Sequence, residues 1–223
     1  MNSVKIKIEG GLHTAETKER ILDAAERLFA ERGFEATSTR DITGAAGVNL
    51  GSVNYHFKTK QQLINTIFLR RVEPVNQRRL ALLAEIERKA GHKPPTVEAL
   101  VEALIRPAVP VGLDQRQGWE TFLRLAGRFF CEPNRETNEL IRANMDKVMS
   151  RFMKAFLRAL PGLPRDELLW RLQFTLSGLH HLLLTLGNKY SMPSCPVKEL
   201  SGEEVVRRMV SFAVAGIKAQ RSH

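Results

Sequence analysis

Residues 37–60 read TSTRDITGAAGVNLGSVNYHFKTK, a pattern that predicts two short helices joined by a tight turn and followed by the start of a third helix. Ser38 can accept a hydrogen bond from a first-turn N–H, and Asp41 stands three residues later, as in a capping box. Gly47 lies where the first helix must end, because glycine adopts a left-handed conformation without a Cβ penalty. Asn49 can cap the second helix, expected at about residues 50–56. This layout is typical of a helix-turn-helix, whose second helix enters the major groove of DNA.

The charge pattern agrees with this interpretation. No acidic residue occurs from Ile42 to Val72, although the same stretch contains Lys58, Lys60, Arg70 and Arg71. Since DNA presents phosphates along both walls of its grooves, a docking face should exclude carboxylates. A chance gap in the acidic residues is the alternative. The gap, the caps and the turn together favour DNA binding.

At these residues the sequence resembles the TetR family of bacterial transcription regulators. The resemblance covers about residues 15–68 and rests on ILDAAERLFAERGF (21–34), TRDI (39–42), AGV (46–48), GSVNYHFKTK (51–60) and Leu63. It implies an all-α fold with an N-terminal three-helix helix-turn-helix head and a C-terminal helical ligand-binding and dimerisation domain. We therefore expect a flexible arm at 1–14, the DNA-binding domain at 15–62 and the helical domain at 63–223.

The resemblance also implies a function. Members of the family are cytoplasmic homodimers that bind double-stranded operator DNA, and a small molecule usually releases a repressor from its operator. An architectural or ligand-independent DNA-binding protein of the same fold is the alternative, and a helical enzyme or binding module with a vestigial head is a third. The enzyme hypothesis has little support, because the sequence shows no glycine-rich phosphate loop, nucleophile elbow or carboxylate pair. We expect no catalytic residue and no cofactor.

The resemblance assigns DNA contacts by position. Groove-facing positions fall on Leu50, Gly51 and Asn54, and phosphate-contacting positions fall on Thr39, Ser52, Tyr55, His56 and Lys60. Arg40 follows Thr39 and can reach a phosphate or a base. The family most often has Tyr where this chain has Asn54, and usually Ala where it has Thr43. Asn54 can pair with adenine N6 and N7, or it can cap the local backbone, and the sequence does not decide between the two.

Composition is that of a globular protein, with 43% hydrophobic and 26% charged residues. The net charge of +10 suits a polyanionic partner. It is not concentrated in the predicted head, since residues 1–70 hold ten Lys and Arg against eight Asp and Glu. Cys131 and Cys195 do not form a disulfide framework, and Cys131 is either a buried thiol or, if exposed with a lowered pKa, an oxidant sensor. No signal peptide or membrane span is expected.

Apolar periodicity predicts the remaining helices. We expect them at about 17–32, 60–89, 97–106, 119–131, 134–160, 166–189 and 203–220, with Asp166 as the cap of the helix that follows it. Pro74 should kink or break the helix at 60–89, and loops are expected at 90–95, 107–118 and 190–202. Residues 1–13 have no helical period, and their Lys5 and Lys7 are open candidates for minor-groove contact.

Candidate effector-binding residues come from the aromatic and methionine positions of the C-terminal half. Ligand cavities are mostly apolar, with a few polar groups that orient the guest, so the effector should be apolar or amphipathic. The candidates are Trp119, Phe122, Phe129, Met145, Met149, Phe152 and His180. Ordinary core packing is the alternative for each of them. His180 and His181 are adjacent and point to different helix faces, and no cluster has the spacing of a metal site.

The last two helices should form the dimer interface. Leucines occur nearly all round the helix at 166–189, so it must be covered on more than one side. A second copy of the chain is the simplest cover, and Ser177 with Gly178 would allow close helix approach. Together with the helix at 203–220 this would give a four-helix seam, which the family resemblance also implies. Completion of a monomeric core is the alternative.

Overall fold

The computed structural model describes residues 2–109, 121, 124, 125, 129, 135–187 and 201–220. Across these ranges the chain is helical and has no β-strand, which confirms the predicted all-α class. The helices are α1 (Asn2–Arg32), α2 (Thr39–Ala46), α3 (Leu50–Phe57), α4 (Lys60–Ala90), α5 (Val97–Ile105), α6 (Arg135–Ala159), α7 (Arg165–Gly187) and α8 (Gly202–Lys218). A 3-10 turn at Arg106–Ala108 follows α5.

The helices belong to two compact units. Unit 1 comprises Met1–Arg71 and Arg124–Asn138, and unit 2 comprises Val72–Leu123 and Glu139–His223. Helix α4 runs through the point where unit 1 ends, so a single helix supplies residues to both. The boundary that we expected at residues 62 and 63 lies within the part of α4 that belongs to unit 1. The proposed limits of the DNA-binding domain therefore stay a prediction about function.

Helix α1 is longer than the sequence suggested. We expected an arm without regular structure at residues 1–14 and a helix from about Thr17, whereas α1 begins at Asn2. Once a helix is nucleated, each added residue requires little further ordering, so Gly10 and Gly11 weaken the extension without preventing it. The expectation of irregular structure at 2–13 is therefore wrong. Contact of Lys5 and Lys7 with DNA stays a prediction.

The core of unit 1 follows the predicted stripe on α1. Its buried side chains are Ile21, Leu22, Ala25, Leu28 and Phe29. Gly33 ends the helix with a φ of 91°, as the glycine after a helix commonly does. Phe34 packs edge-on to Phe29 with ring centroids 5.3 Å apart, and Phe57 is 3% exposed. Both phenylalanines are core residues, as expected.

Helix α4 is continuous through Pro74, although we predicted a kink or break there. Proline has a helix-compatible φ and lacks only one N–H, so a helix can continue through it with the loss of one hydrogen bond. The break that we predicted as one alternative therefore does not occur, whereas a kink stays a prediction. The change from unit 1 to unit 2 falls between Arg71 and Val72, just before this proline.

Unit 2 contains the remaining helices, whose starts mostly follow local caps. Thr96 accepts a hydrogen bond from the Ala99 N–H and caps α5, as predicted. Helix α8 begins at Gly202, one residue earlier than expected, because Ser201 accepts from the Glu204 N–H. Helix α7 begins at Arg165, so Asp166 lies in the first turn and is not the cap we predicted. Its carboxylate still suits the positive end of the helix dipole.

One buried cluster forms the core of unit 2. It draws apolar side chains from α4 to α8, and its largest fully buried members include Leu83, Leu100, Leu104, Phe152 and Phe156. Within the helix predicted at 119–131, the structure describes residues 121, 124, 125 and 129, and all four are helical. Most of the loops predicted at 107–118 and 190–202, with Cys131 and Cys195, lies outside the described residues.

No helix among the described residues is both long enough and apolar enough to cross a membrane. Nor does this part of the chain bring together three or more His, Cys, Asp or Glu side chains that could hold a metal ion.

Candidate DNA-binding face

The turn between α2 and α3 is fixed by caps on both sides. Ser38 and Asp41 form the predicted capping box, in which each side chain bonds the backbone N–H of the other residue. Gly47 ends α2 in the left-handed region at φ 61° and ψ 41°, and its N–H donates to the carbonyls of Gly44 and Thr43. Asn49 then caps α3 by accepting from the Ser52 N–H at 2.8 Å. These local bonds set the start of the second helix relative to the end of the first.

An arginine from α1 holds this turn, although no motif in the sequence pointed to it. The Arg20 guanidinium donates from Nη2 to the carbonyl oxygens of Ala46 at 2.6 Å and Gly47 at 3.1 Å. These are the carbonyls that the end of α2 leaves without helical partners. A cation at a helix C-terminus also suits the helix dipole. Helix α1 thus anchors the helix-turn-helix through charge as well as apolar packing.

Helix α3 exposes the residues assigned to DNA. Tyr55 is 77% exposed and Leu50 is 45% exposed, while Val53 and Phe57 on the opposite side are buried. The exposed side also carries Gly51 and Asn54, with Ser52 and His56 partly exposed. Placing a large aromatic ring in water has no packing benefit within this chain. The exposed face of α3 is therefore suited to contact with another molecule.

Local hydrogen bonds distinguish the polar groups of this face. The Ser52 hydroxyl donates to the Asn49 side-chain oxygen at 3.1 Å, so it contributes to the cap. The Asn54 side chain makes no hydrogen bond with the described residues, whereas its backbone carbonyl accepts from the Lys58 N–H. The cap interpretation of Asn54 is therefore not what the structure shows. Thr43, the other departure from the family pattern, donates its hydroxyl to the Arg40 carbonyl at 2.9 Å.

Helix α1 borders the same face. An open depression in the surface is lined by Thr14 and Thr17 of α1 together with residues at the start and along the exposed side of α3: Asn49, Gly51, Ser52, Tyr55 and His56. A Cβ at Gly51 would lie 3.1 Å from the Asn49 side-chain oxygen, so a larger residue at this position would crowd the depression. Sequence reasoning missed the two threonines, because α1 appeared only as an apolar stripe.

The basic residues near the motif fall into two groups. The side chains of Arg40 and Lys60 form no ion pair within the described part of the chain. Arg70 and Arg71 instead pair with α1: both contact Glu26, which is 3% exposed, and Arg70 also reaches Asp23 at 2.8 Å and Glu19 at 3.1 Å. The last two arginines of the acid-free stretch therefore hold α4 to α1 and are not available to phosphates.

The effector candidates are dispersed. Trp119 and Phe122 lie outside the described residues. Phe129 is 2% exposed and packs in unit 1 against Phe34 and Phe68, with ring centroids 5.0 and 5.3 Å apart, which favours a core role.

The other candidates belong to unit 2. Phe152 is completely buried in its core, and Met145 and Met149 are partly buried on the same helix. His180 is partly buried beside Arg79, and the pKa of its imidazole is lowered first by burial and then by that guanidinium. Arg79 is a buried cation that the sequence analysis did not single out.

Family models agree with the geometry. Residues 21–67 match the model of bacterial regulatory proteins of the tetR family, and residues 102–216 match that of the tetracyclin repressor-like C-terminal domain. The second match alone spans more than half of the chain. This chain belongs to the TetR family. The two matches together cover the helix-turn-helix and most of unit 2.

Curated relatives of this TetR-family chain match it only in the head. The transcriptional repressor KstR2 of Mycolicibacterium smegmatis is 40% identical over 53 residues, 24% of this chain and 26% of that protein. The transcriptional regulator AcrR of Shigella flexneri is 45% identical over 53 residues, 24% of this chain and 25% of that protein. The chain therefore spans about a quarter of the length of the curated relatives it matches.

Solved structures match over nearly the whole chain. The AmtR structure of Mycobacterium smegmatis has a TM-score of 0.62 at 18% identity, covering 92% of this chain and 87% of that one. A transcriptional regulator of Rhodococcus sp. Rha1 has a TM-score of 0.59 at 20% identity, covering 90% and 95%. At these identities the likeness concerns the fold alone.

Proposed function

We propose that this TetR-family chain is a homodimeric repressor that reads an operator through α3 and leaves the DNA when a small molecule binds its C-terminal domain. The observation that carries the proposal is the exposed face of α3, where Tyr55 is 77% exposed and Asn54 is exposed with no side-chain hydrogen bond to the described residues. Such a regulator acts in the cytoplasm, where bacterial DNA lies, and catalyses no reaction.

Two kinds of contact follow from the positions on this face. Asn54 reads a base, because its amide is free to pair with both N6 and N7 of adenine. Leu50 and Gly51 face the groove beside it. Phosphate contacts come from the hydroxyl, aromatic and cationic groups around the rim: Thr39, Arg40, Ser52, Tyr55, His56 and Lys60. Phosphate contacts position the protein and base contacts specify the sequence.

Dimerisation through α7 and α8 is supported by their uncovered apolar side chains. Trp170 and Phe174 stack with ring centroids 5.9 Å apart, yet they are 62% and 67% exposed. On α8, Phe212 is 73% exposed, and a Cβ at Gly216 one turn later would meet nothing within 4 Å. Clustered aromatic side chains in water are typical of an interface that a second protein covers. Two helices from each copy would complete the seam predicted at 166–189 and 203–220.

The effector is proposed to be apolar or amphipathic and to contact the partly buried residues of unit 2. Met145, Met149 and His180 remain the described candidates, because each is accessible in part. Trp119 and Phe122 remain candidates from the sequence. Phe152 can contribute only if the core opens, since none of its surface is accessible.

The test is fluorescence anisotropy with a labelled duplex from upstream of the protein's own gene, beside a scrambled duplex of equal length. We expect the specific duplex to bind on the order of a thousandfold more tightly near physiological salt. Equal binding to both duplexes that weakens steeply with salt would instead indicate backbone contact alone. That result would contradict the repressor and favour an architectural protein.

Matched variants separate the two kinds of contact. Lys60→Ala should weaken binding to every duplex and flatten the salt dependence, because one phosphate contact is lost. Asn54→Ala should cost about 1–3 kcal/mol on the specific duplex and relax the preference at one base pair. Lys154→Ala removes an exposed cation from unit 2 and is the control, with no expected change. An unchanged base preference in Asn54→Ala would remove this residue from the reading set.

A further inference from the structure

The core of unit 2 contains an arginine without an acidic partner. Arg79 of α4 is 5% exposed. Its Nε donates to the Leu104 carbonyl at 2.8 Å, and its Nη1 donates to the Asn76 side-chain oxygen at 3.1 Å. Both acceptors are neutral, and Asn76 is itself 6% exposed. The second terminal nitrogen, Nη2, donates to none of the described residues.

Two other arginines that are partly buried among the described residues each have a carboxylate partner. The Arg171 side chain, 10% exposed, pairs with Glu167 at 2.8 Å, and Arg70 pairs with the buried Glu26. Within the described ranges no carboxylate oxygen lies within 4 Å of Arg79. Burying a charge without an opposite charge is costly. Burial accordingly lowers the pKa of Arg79 to about 10, which still leaves the guanidinium charged at neutral pH.

A helix-capping role accounts for only part of this arrangement. Leu104 is in the last turn of α5, where arginine can bond a carbonyl and suits the negative end of the dipole. The dipole supplies only about half of an elementary negative charge. The carbonyl at this helix end accepts a hydrogen bond from Nε alone. The cap leaves most of the positive charge without an opposite charge, and it leaves Nη2 without a hydrogen-bond partner among the described residues.

The surroundings of Arg79 include an imidazole and the apolar core of unit 2. His180 on α7 is close enough for the guanidinium to lower the pKa of its imidazole. Leu104, Leu179 and Leu183 are buried in the same core cluster. Thus α4 and α7 place a cation and an imidazole near each other in a unit whose core is apolar. This combination suits a molecule with one anionic group on an apolar body.

We propose that Arg79 receives the anionic group of the effector, so that the ligand of this domain is an organic acid with an apolar body. An oxyanion at Nη2 forms a charge-assisted hydrogen bond and neutralises the buried cation, with His180 beside it as a further polar contact. The inference rests on the proposed function in taking unit 2 as the effector domain. It goes beyond that function in naming the charge of the ligand and the residue that selects it.

The test uses two dyes with the same ring system, of which only one is anionic. These are 1-anilinonaphthalene-8-sulfonate and the neutral N-phenyl-1-naphthylamine, titrated by fluorescence into the full-length protein. We expect Arg79→Met to weaken binding of the sulfonate at least about tenfold and to change binding of the neutral dye less than about twofold. Arg151→Met removes an exposed arginine, paired with Glu87 at 3.0 Å, and should leave both affinities unchanged.

Arg79→Lys keeps the positive charge but lacks the planar guanidinium, so it should retain part of the preference for the sulfonate. This variant also tests the proposal if circular dichroism shows that Arg79→Met folds poorly. Wild-type protein that binds the sulfonate no better than the neutral dye, or an Arg79→Met variant with undiminished preference, would overturn the proposal and leave Arg79 as the cap of α5. Operator binding is measured on the same samples. If the protein shows no sequence preference for DNA but still prefers the sulfonate dye through Arg79, the repressor function is contradicted and the anion site is not.

Discussion

Replacement of Gly47 by alanine should destabilise the helix-turn-helix, whereas the same change at Gly44, three residues earlier, should stabilise it. Both glycines are exposed, so solvent access does not distinguish them. Gly47 has a φ of +61°, and a Cβ there would lie 2.9 Å from Arg20 Nη2. Gly44 lies inside α2, and a Cβ there would meet nothing within 4 Å.

The magnitude at Gly47 is the sum of three effects. A non-glycine residue in the left-handed region costs about 1–2 kcal/mol, and alanine recovers about 0.4–1 kcal/mol by restricting the unfolded chain. Displacing Arg20 from two partly exposed carbonyls costs about 1 kcal/mol more. The net destabilisation is therefore about 1–2 kcal/mol. At Gly44 alanine should gain about 0.5–1 kcal/mol, because glycine is unfavourable within a helix.

The assay is hydrogen exchange of the full-length protein, read by mass spectrometry on peptides from residues 39–57. The variants should differ by about 1.5–3 kcal/mol in opening free energy, which is a factor of roughly 10 or more in exchange rate. Arg20→Gln isolates the contribution of the arginine and should lie between wild type and Gly47→Ala. Equal protection in Gly44→Ala and Gly47→Ala, or greater protection in the latter, would refute the reasoning from backbone conformation.

Four further outcomes are expected. Glu26→Gln should cost about 3 kcal/mol in urea unfolding, because Arg71 loses its anion and Arg70 keeps only its exposed partners Asp23 and Glu19. Removing the charge of an exposed partner, Asp23→Asn, should cost less than about 1 kcal/mol; equal costs would contradict the central role of Glu26. Lys58→Gly should raise the free energy of unfolding, because Lys58 has a φ of 54° and forms a strained turn between Phe57 and Thr59. Operator affinity should fall because a cation is lost, and a less stable variant would show that the turn is not strained. Gly216→Leu should shift the sedimentation equilibrium towards monomer if α8 packs on a partner, and an unchanged dimer would place the interface elsewhere. The Ser38 hydroxyl and N–H, with Arg32 nearby, hold the pKa of Asp41 below its ordinary value of 3.8, so its contribution to stability is present above that pH and is lost as the pH falls further; a carboxyl NMR titration midpoint at or above 3.8 would contradict this.

Much of the head was predictable because its determinants are local. The caps at Ser38, Asn49 and Thr96 each join a side chain to a backbone N–H three residues on, and Gly47 is required by one backbone conformation. Interactions over three residues depend on residue type and spacing alone, so they can be inferred without knowledge of the fold. The family resemblance over residues 15–68 has the same basis, and the models that match 21–67 and 102–216 confirm it.

The helix boundaries that we predicted incorrectly were those where the sequence carried two opposed signals. Gly10 and Gly11 argued against a helix that α1 nevertheless extends through, and Pro74 argued for an interruption that α4 does not have. Asp166 had the chemistry of a cap but lies one residue inside α7. At the glycines and the proline, the cost of each unfavourable residue, about 1–3 kcal/mol, is smaller than the free energy that the rest of the helix supplies. The helix propensity of single residues therefore does not locate the ends of these helices.

The sequence by itself determined the helix-turn-helix, its caps and the family, because these depend on side chains and backbone groups only a few residues apart. Only the tertiary structure decided what the charged side chains do. Arg20 reaches a turn 26 residues away, Arg70 and Arg71 pair with Glu26 across more than 40 residues, and Arg79 is buried beside a carbonyl 25 residues along the chain. The residue type gives only the charge. Whether that charge meets a carboxylate, a carbonyl or water depends on which helices fold against each other, and spacing along the chain does not record it.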